Sequence, residues 1–399
     1  MRRVKYKPIP VRELLKLMRN LSCLMVDLAF CSVIYGDEDL AREVLELENI
    51  VDELDLLLTM QAALATRSVE DAERMVSVFR VATASNSISD AAAEIARLAI
   101  SRIRLPREVA LGIRGLDEVA VRVVLGAGQG KLAIRELFER AGAVVNVLAV
   151  RRGKKVVLEP SEDFVLAEGD AVIVKGSLDA VNAILSSLGL QTFSKGGENK
   201  AYGELVDMLA KPRDATTLIV DLAYAALMAK SRELAERVAE LEEHVDAMYE
   251  ELQELIMGMQ ELTSREKVGA LGVVIAGETI ADAARAMVEP IMAGLEPHPI
   301  IAEVLDETFE RISVIEADES DDGRTLVELD YLKRGLMVLA VRRDGKWFVR
   351  PPYSCFVVKK GDVLITKYAA ESEELVESLE SEEDREEIIE DIQEEEWKE

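Results

Sequence analysis

An internal repeat constrains this chain most strongly, because it divides the 399 residues into two copies of one module. The hexapeptide VLAVRR occupies 147–152 and returns unchanged at 338–343. Earlier in each copy, the tetrapeptide VDLA occupies 26–29 and returns at 220–223. The matches keep their order and are 191 to 194 residues apart, which indicates a tandem duplication. Two copies of one module favour symmetric sensing or scaffolding over a single catalytic cleft.

Each copy begins with a helical pattern and continues with a strand-rich one. Over 11–104, apolar residues recur three and four positions apart, which predicts three helices joined by short connections. The period changes at 118–124, where apolar and polar residues alternate as in a half-buried strand. A short helix at 132–141, several β-branched runs and a final helix follow. The sequence therefore predicts an α+β multidomain fold, in which an antiparallel three-helix bundle followed by a small β-α-β-β-β-α domain occurs twice.

Changes in pattern and composition place the expected domain boundaries. The final segment contains eleven acidic residues and two basic ones, so we expect a solvated helix end or a disordered tail there. The expected units are a first helical bundle at 10–105, a first α/β domain at 106–190, a linker at 191–202, a second bundle at 203–296, a second α/β domain at 297–380 and an acidic tail at 381–399.

Charge and cysteine usage exclude several classes of function. The formal net charge of −28 argues against a nucleic-acid partner, because a phosphate-binding surface needs clustered Lys and Arg. Three cysteines form neither a disulfide framework nor a zinc-binding spacing, and the basic start lacks a signal peptide's apolar core, so we expect a cytoplasmic location. The longest apolar stretches contain Asp27 and Asp221, so we expect no membrane insertion and interpret both acids as interhelical hydrogen-bond partners.

Pairs of carboxylates four residues apart form the candidate metal site. Such pairs share one face of a helix, with Cβ atoms about 5–6 Å apart, and repel each other unless a cation or solvent separates them. Converging carboxylates suit a divalent metal with oxygen ligands, whereas ordinary solvated helix faces are the alternative interpretation. The first copy is the weaker candidate because Asn86 replaces one of its acids. The candidate ligands are Glu48, Asp52, Glu242, Asp246, Glu278 and Asp282.

The second α/β segment carries a set of motif residues, namely Arg324, the run 338–345, Pro352 and the run 360–365. This set resembles the TrkA C-terminal, or RCK C-terminal, ligand-binding domain of potassium-transport regulators, and the first copy matches it over 130–170. The helical parts, with their E-x-x-x-D pairs, resemble the PhoU family of three-helix bundles. Together the resemblances cover nearly the whole chain except the acidic tail.

The resemblance also implies a candidate ligand site. Some members of the RCK C-terminal family bind cyclic di-AMP between two such domains, through an Arg, an Asn and a downstream Pro. The matching positions in the first copy are Arg140, Asn146, Val147 and Pro160. The second copy has Tyr331 and Met337 at the Arg and Asn positions, so the first copy provides the better site. The alternative is that Arg140 is a surface helix residue and Asn146 caps a strand edge.

The leading hypothesis is a non-enzymatic, cytoplasmic regulatory protein that senses a small ligand and is linked to potassium or other cation transport. No nucleophile constellation is visible, and the glycine cluster at 126–130 fits neither the Walker A nor the dinucleotide fingerprint. The expected partners are a membrane cation transporter or channel subunit and a second copy of the chain in a homodimer. Candidate ligands are a cyclic dinucleotide or a divalent metal. The alternative function is a metal-binding PhoU-type regulator of phosphate uptake.

Overall fold

The computed structural model describes most of the chain. The expected boundary near residue 105, most of the linker and Pro352 lie outside the described residues. The described ranges are 5–103, 118–126, 130–153, 155–158, 160–192, 203–306, 308, 310–349, 353–369, 372–379 and 382–396.

The first module opens with the expected bundle of three helices. Asp37 begins the second helix by accepting a hydrogen bond from the backbone N–H of Leu40 at 3.2 Å. Ser68 and Asp71 begin the third with a reciprocal capping box, in which each side chain accepts a backbone N–H of the other residue. The helices are α1 (Val11–Tyr35), α2 (Glu38–Ala65) and α3 (Val69–Ile100).

The first α/β domain is a four-stranded antiparallel sheet with two helices. The elements are β1 (Glu118–Val124), β2 (Leu132–Ala133), α4 (Ile134–Ala141), β3 (Asn146–Arg152), β4 (Lys155–Leu158), β5 (Val165–Leu166), β6 (Ala171–Ser177) and α5 (Leu178–Ser187). The strand order is β1-β6-β3-β4, and the two-residue strands β2 and β5 pair separately.

The second module repeats this architecture, with sheet order β7-β10-β8-β9. The elements are α6 (Gly203–Ala229), α7 (Arg232–Gly258), α8 (Ser264–Met292), α9 (Ile300–Asp306), β7 (Glu310–Glu316), β8 (Leu336–Arg343), β9 (Lys346–Val349), β10 (Val363–Ala369), α10 (Glu373–Leu379) and α11 (Glu382–Glu396).

The two copies differ at the short helix before the central strand. The repeat predicts an equivalent of α4 in the second copy, but the structure has one turn of 3-10 helix, Tyr331–Arg334. Asp330 and Gly335, on either side of this turn, both have left-handed backbone conformations, with φ of 57° and 80°. These conformations end the helix after a single turn. The predicted α+β fold with a duplicated bundle and α/β module is otherwise confirmed.

The two bundles pack against each other within one chain. Helix α3 lies along α8, and one continuous hydrophobic core runs through both bundles. The helices approach closely at Gly272, where a Cβ would lie 3.1 Å from Cδ1 of Leu98. The guanidinium of Arg19 on α1 also stacks over the ring of Tyr224 on α6, 5.0 Å from its centroid. The duplication therefore produces an internal pair of bundles.

The acidic C-terminal segment is helical over 382–396 and packs against the second module. Helix α11 buries Ile388 and Ile392. Its Glu396 accepts hydrogen bonds from the Ser231 hydroxyl at 2.8 Å and from the backbone N–H of Glu233 at 3.1 Å, at the start of α7. This helix therefore has one packed face, which the charge count alone did not predict. Among the described residues, no helix is both long and apolar enough to cross a membrane.

Candidate ligand-binding and metal sites

The two α/β domains face each other across an open cleft. The first domain contributes the start of β3 and the end of β6, and the second contributes the 3-10 turn, β8 and β10. The domains also touch directly, because the Ser177 hydroxyl donates a hydrogen bond to the Leu332 carbonyl at 3.4 Å. Polar and apolar side chains share the wall, and they include Asn146, Lys175, Ser177, Met337, Lys367 and Tyr368.

Strand register places two lysines beside the predicted ligand position. Asn146 on β3 is paired with Lys175 on β6, and Met337 on β8 is paired with Lys367 on β10. The two halves of the cleft are therefore built from equivalent positions in the repeat. Sequence reasoning missed both lysines. The available signal was a Lys within a buried apolar strand at the same place in each copy.

Each lysine pairs with an aspartate from the first helix of its own bundle. Lys175 Nζ lies 3.0 Å from Asp27 Oδ2, and Lys367 Nζ lies 2.8 Å from Asp221 Oδ2. The lysines are only 5% and 3% exposed. These ion pairs connect a helix to a strand of the neighbouring domain, a partner that the prediction of interhelical hydrogen bonds for both aspartates did not include. The prediction missed partners that are 148 and 146 residues away in sequence.

The structure separates the four predicted ligand residues. Asn146 lines the cleft, whereas the other three are not among the described residues that line it. Arg140 is exposed in the last turn of α4. Val147 follows Asn146 on β3, so its side chain points to the opposite face of the sheet, and it is buried there. Pro160 is half-buried just after β4.

The repeated hexapeptide has a structural explanation, which involves the Gly-Asp pair that recurs at 169–170 and 361–362. Arg152 Nε and Nη2 donate to the two oxygens of Asp170 at 2.8 and 2.6 Å, and its guanidinium stacks over Phe164. Arg343 and Asp362 form the same bidentate pair in the second copy. The Arg152 hydrogen bond holds the pKa of the Asp170 carboxyl below its usual value. The last Arg of each hexapeptide therefore stabilises the turn that leads into Asp170 or Asp362.

Three of the predicted metal ligands meet in the second bundle. One carboxylate oxygen from each of Glu242, Asp246 and Asp282 lies within 4.8 Å of the others. Oδ1 of Asp246 is buried without a hydrogen-bond partner. Arg285 Nη1 donates to both oxygens of Glu242 at 3.2 and 3.1 Å, so a guanidinium already balances part of the charge. Three carboxylates with one unpartnered oxygen fit a hard divalent cation.

Burial and mutual repulsion perturb the acids of this cluster. Burial raises the pKa of Glu242 despite the opposing hydrogen bond from Arg285. Burial and the charge of Asp282 raise the pKa of Asp246. Burial and the charge of Asp246 raise the pKa of Glu278, which lies outside the group of three oxygens. A bound cation would relieve this repulsion.

The equivalent acids of the first bundle are arranged differently. Both oxygens of Glu48 accept hydrogen bonds from Arg97 Nη2, at 2.7 and 2.9 Å. Asn86 donates to Asp90 at 3.4 Å. Burial and then the charge of Asp52 raise the pKa of Asp90. An amide thus stands where the second copy has a carboxylate, so the first copy is the poorer metal site.

Comparisons with known families agree with this architecture. The PhoU domain model matches residues 15–99 and 213–291, which lie in the two bundles, and the TrkA-C domain model matches residues 131–189 in the first α/β domain. The chain therefore has a tandem PhoU plus TrkA-C architecture. Both are regulatory families, and they support a regulatory role linked to ion transport.

Particular solved structures are similar over much of the chain at low identity. PhoU from Pseudomonas aeruginosa is 17% identical, with 71% of this chain and 93% of that chain covered and a TM-score of 0.38. The GsuK RCK domain is 13% identical, with 75% and 78% covered and a TM-score of 0.17. The GsuK channel is 12% identical, with 75% and 65% covered and a TM-score of 0.18. No curated protein matches the chain by sequence.

Proposed function

We propose that this protein is a non-enzymatic, cytoplasmic regulator of potassium or other cation transport, which senses a small ligand in the cleft between its α/β domains. The observation that carries the proposal is that both copies build this cleft, with Asn146 on one side and Met337 on the other. A ligand held there contacts both domains at once. It can therefore favour one arrangement of the pair, which any ligand signal requires.

The bundles provide a route from the cleft to a partner. Each α/β domain is joined to its bundle by a buried lysine–aspartate pair, and the two bundles share one core. A change in the angle between the α/β domains therefore reaches the bundles through packed contacts. In this proposal the bundles act on a membrane cation transporter or channel subunit.

Titration calorimetry of the full chain against cyclic dinucleotides, mononucleotides and monovalent cations tests the ligand site. We expect Asn146→Ala to weaken binding about tenfold, the effect of losing one or two hydrogen bonds. Asn49→Ala, which changes an exposed asparagine on α2, is the matched control. Arg140, Val147 and Pro160 stay predicted ligand residues, and Arg140→Ala tests the first of them. Absence of binding by every compound in the panel would contradict the proposal.

Pull-down from membranes with the purified full chain tests the proposed partner. We expect a cation transporter or channel subunit to be retained, and to a different extent with and without the ligand found by calorimetry. Recovery of no transport protein under either condition would contradict the regulatory part of the proposal.

A second candidate function is metal-dependent regulation of phosphate uptake, in which the bundles are the active part. It is favoured by the cluster of Glu242, Asp246 and Asp282 and by the unpartnered oxygen of Asp246. When bound, the metal would supply positive charge that holds α7 and α8 together. Elemental analysis after mild purification should find a divalent metal that is lost in Glu242→Gln/Glu278→Gln and kept in Glu48→Gln. A metal-free wild-type protein would remove this candidate.

A further inference from the structure

The two buried lysines lie between the cleft and the interior of the paired bundles. Lys175 lines the cleft and also a second cavity between the bundles. Lys367 lines the cleft, and its partner Asp221 lines the second cavity together with Asp27. Lys175 and Lys367 thus contribute to the wall of the cleft, and Asp27 and Asp221 to the wall of the second cavity. This placement occurs in both copies.

A buried ammonium group needs an anionic or strongly polar partner, because its desolvation is otherwise uncompensated. In this structure Asp27 and Asp221 provide that partner. An anion entering the cleft would offer each lysine a further partner. Strand register brings that partner close to Asn146, which is paired with Lys175 on the sheet.

The aspartates can stay buried after such an exchange because polar groups surround the second cavity. The hydroxyl groups of Thr216 and Tyr249 lie 2.9 Å apart and line it with both carboxylates. A hydroxyl can donate a hydrogen bond to a carboxylate, and the cavity has room for water. The exchange would nevertheless change the environment of α1 and α6, the helices that carry Asp27 and Asp221.

We propose that the cleft ligand is a small anion that competes with Asp27 and Asp221 for Lys175 and Lys367, so that its binding is transmitted to the bundles through these two ion pairs. The inference rests on the proposed ligand-sensing function and deepens it. It assigns the ligand a charge and assigns the two lysines a role. Two equivalent lysines facing one cleft favour a ligand with two negatively charged groups.

Titration calorimetry of the full chain with inorganic pyrophosphate, at fixed ionic strength, tests the competition. If the aspartates compete with the anion, Asp27→Asn should bind pyrophosphate about tenfold more tightly than wild type, because a charge-assisted partner of the lysine is gone. Lys175→Gln should abolish binding. Asp27→Asn keeps the size of the side chain, so a failure of Lys175→Gln to fold would leave the decisive variant usable.

Asp37→Asn is the matched control, since Asp37 also joins the first bundle to its α/β domain. It accepts a hydrogen bond from Arg151 at 2.6 Å but does not line the cleft, and Asn keeps its capping role at α2. We expect this variant to bind pyrophosphate as wild type does. Amide exchange in α1 and α6 should change when pyrophosphate binds to wild type and stay unchanged in Lys175→Gln.

Three outcomes would overturn the inference. They are no binding of pyrophosphate to either wild type or Asp27→Asn, binding to Asp27→Asn no tighter than to wild type, and unchanged amide exchange in both helices. Binding of a monovalent cation from the panel, dependent on Asn146, would then leave the proposed ligand-sensing function standing. If no compound binds at the cleft, the result contradicts both this inference and the proposed ligand-sensing function.

Discussion

Arg343 and Asp362 form one of the two ion pairs that the repeat places in equivalent turns. Asp362 is buried, and Arg343 supplies two hydrogen bonds to its carboxylate. We expect Arg343→Gln to lower the free energy of unfolding by about 3 kcal/mol, because it leaves a buried carboxylate without its cation. Denaturant unfolding of the full chain measures the effect. The control is Arg135→Gln, which removes an exposed pair with Glu162 and should change the free energy of unfolding much less.

Glu278→Gln should stabilise the second bundle at pH 7 in the presence of a chelator. Burial and the charge of Asp246 raise the pKa of Glu278, so its contribution to stability is present below the unfolded pKa and is lost as pH rises through the folded pKa. Gln resembles the protonated acid and avoids that loss. Denaturant unfolding should therefore show an advantage for the variant at pH 7 that disappears below about pH 4.

The control for this pH effect is Glu251→Gln, an exposed acid on α7. It should change stability little at either pH. A Glu278→Gln protein less stable than wild type at pH 7 would contradict the repulsion argument. Added divalent cation should reduce the advantage of Glu278→Gln, because the wild-type cluster would then be neutralised.

Single residues also show what sequence could and could not predict about the sites. Carboxylates four apart predicted that Glu242 and Asp246 share a helix face, since that is local geometry. The sequence also placed Asp282 on a neighbouring helix as a converging ligand, whereas the pairing of Asp27 with Lys175 depends on tertiary packing. Local patterns contain no information about such distant partners. The role of Lys175 was for that reason missed.

Helix α8 packs against α7 through a contact that excludes any side chain at Gly277. A Cβ at this position would lie 2.0 Å from the Tyr249 hydroxyl oxygen and 2.6 Å from its ring carbon. We expect Gly277→Ala to destabilise the protein by about 2 kcal/mol through overpacking, despite the better helix propensity of Ala. Thermal unfolding of the full chain measures this loss.

The matched variant is Gly272→Ala, on the same helix. Its Cβ would meet Leu98 Cδ1 at 3.1 Å, at the end of a flexible side chain that can shift. We therefore expect a change of less than about 1 kcal/mol in either direction. Equal effects of the two substitutions would show that Tyr249 does not restrict α8.

Elements with strong periodicity were predicted closely. The strands at 118–124 and 155–158 have the bounds that alternation and β-branching predicted. The prediction of a short helix in the second copy was wrong. A repeat predicts the same element in both copies, even where residues with a left-handed backbone conformation end it early. The packed face of α11 was missed because two isoleucines give a weak signal among eleven acidic residues.

At the scale of the whole molecule, the two modules pair within one chain through α3 and α8. We therefore expect the halves 1–196 and 197–399, expressed together as separate chains, to co-purify. Their interface is apolar and continuous with both bundle cores, so the covalent connection is not needed to hold it. Gel filtration of the co-purified halves should give a single species. Separate elution of two folded halves would contradict this prediction.

The homodimer stays a prediction, now of a second level of assembly beyond the internal pair. Sedimentation equilibrium of the full chain measures it, and a single species of 44.1 kDa would indicate that internal pairing is sufficient. Sequence could predict the duplication but not whether the copies pair within or between chains. That choice depends on the surfaces that α3 and α8 present, which form only on folding.

The exchange of Asn146 for Met337 across the cleft has an evolutionary and stereochemical consequence. Two identical subunits would give a shared binding site two halves related by a two-fold axis. A molecule with unlike ends would then bind in two equivalent orientations. Fusion of both halves into one gene frees each to mutate alone. The cleft has an amide on one wall and a thioether on the other, so its two ends differ chemically. It would therefore bind an unsymmetrical ligand in one orientation.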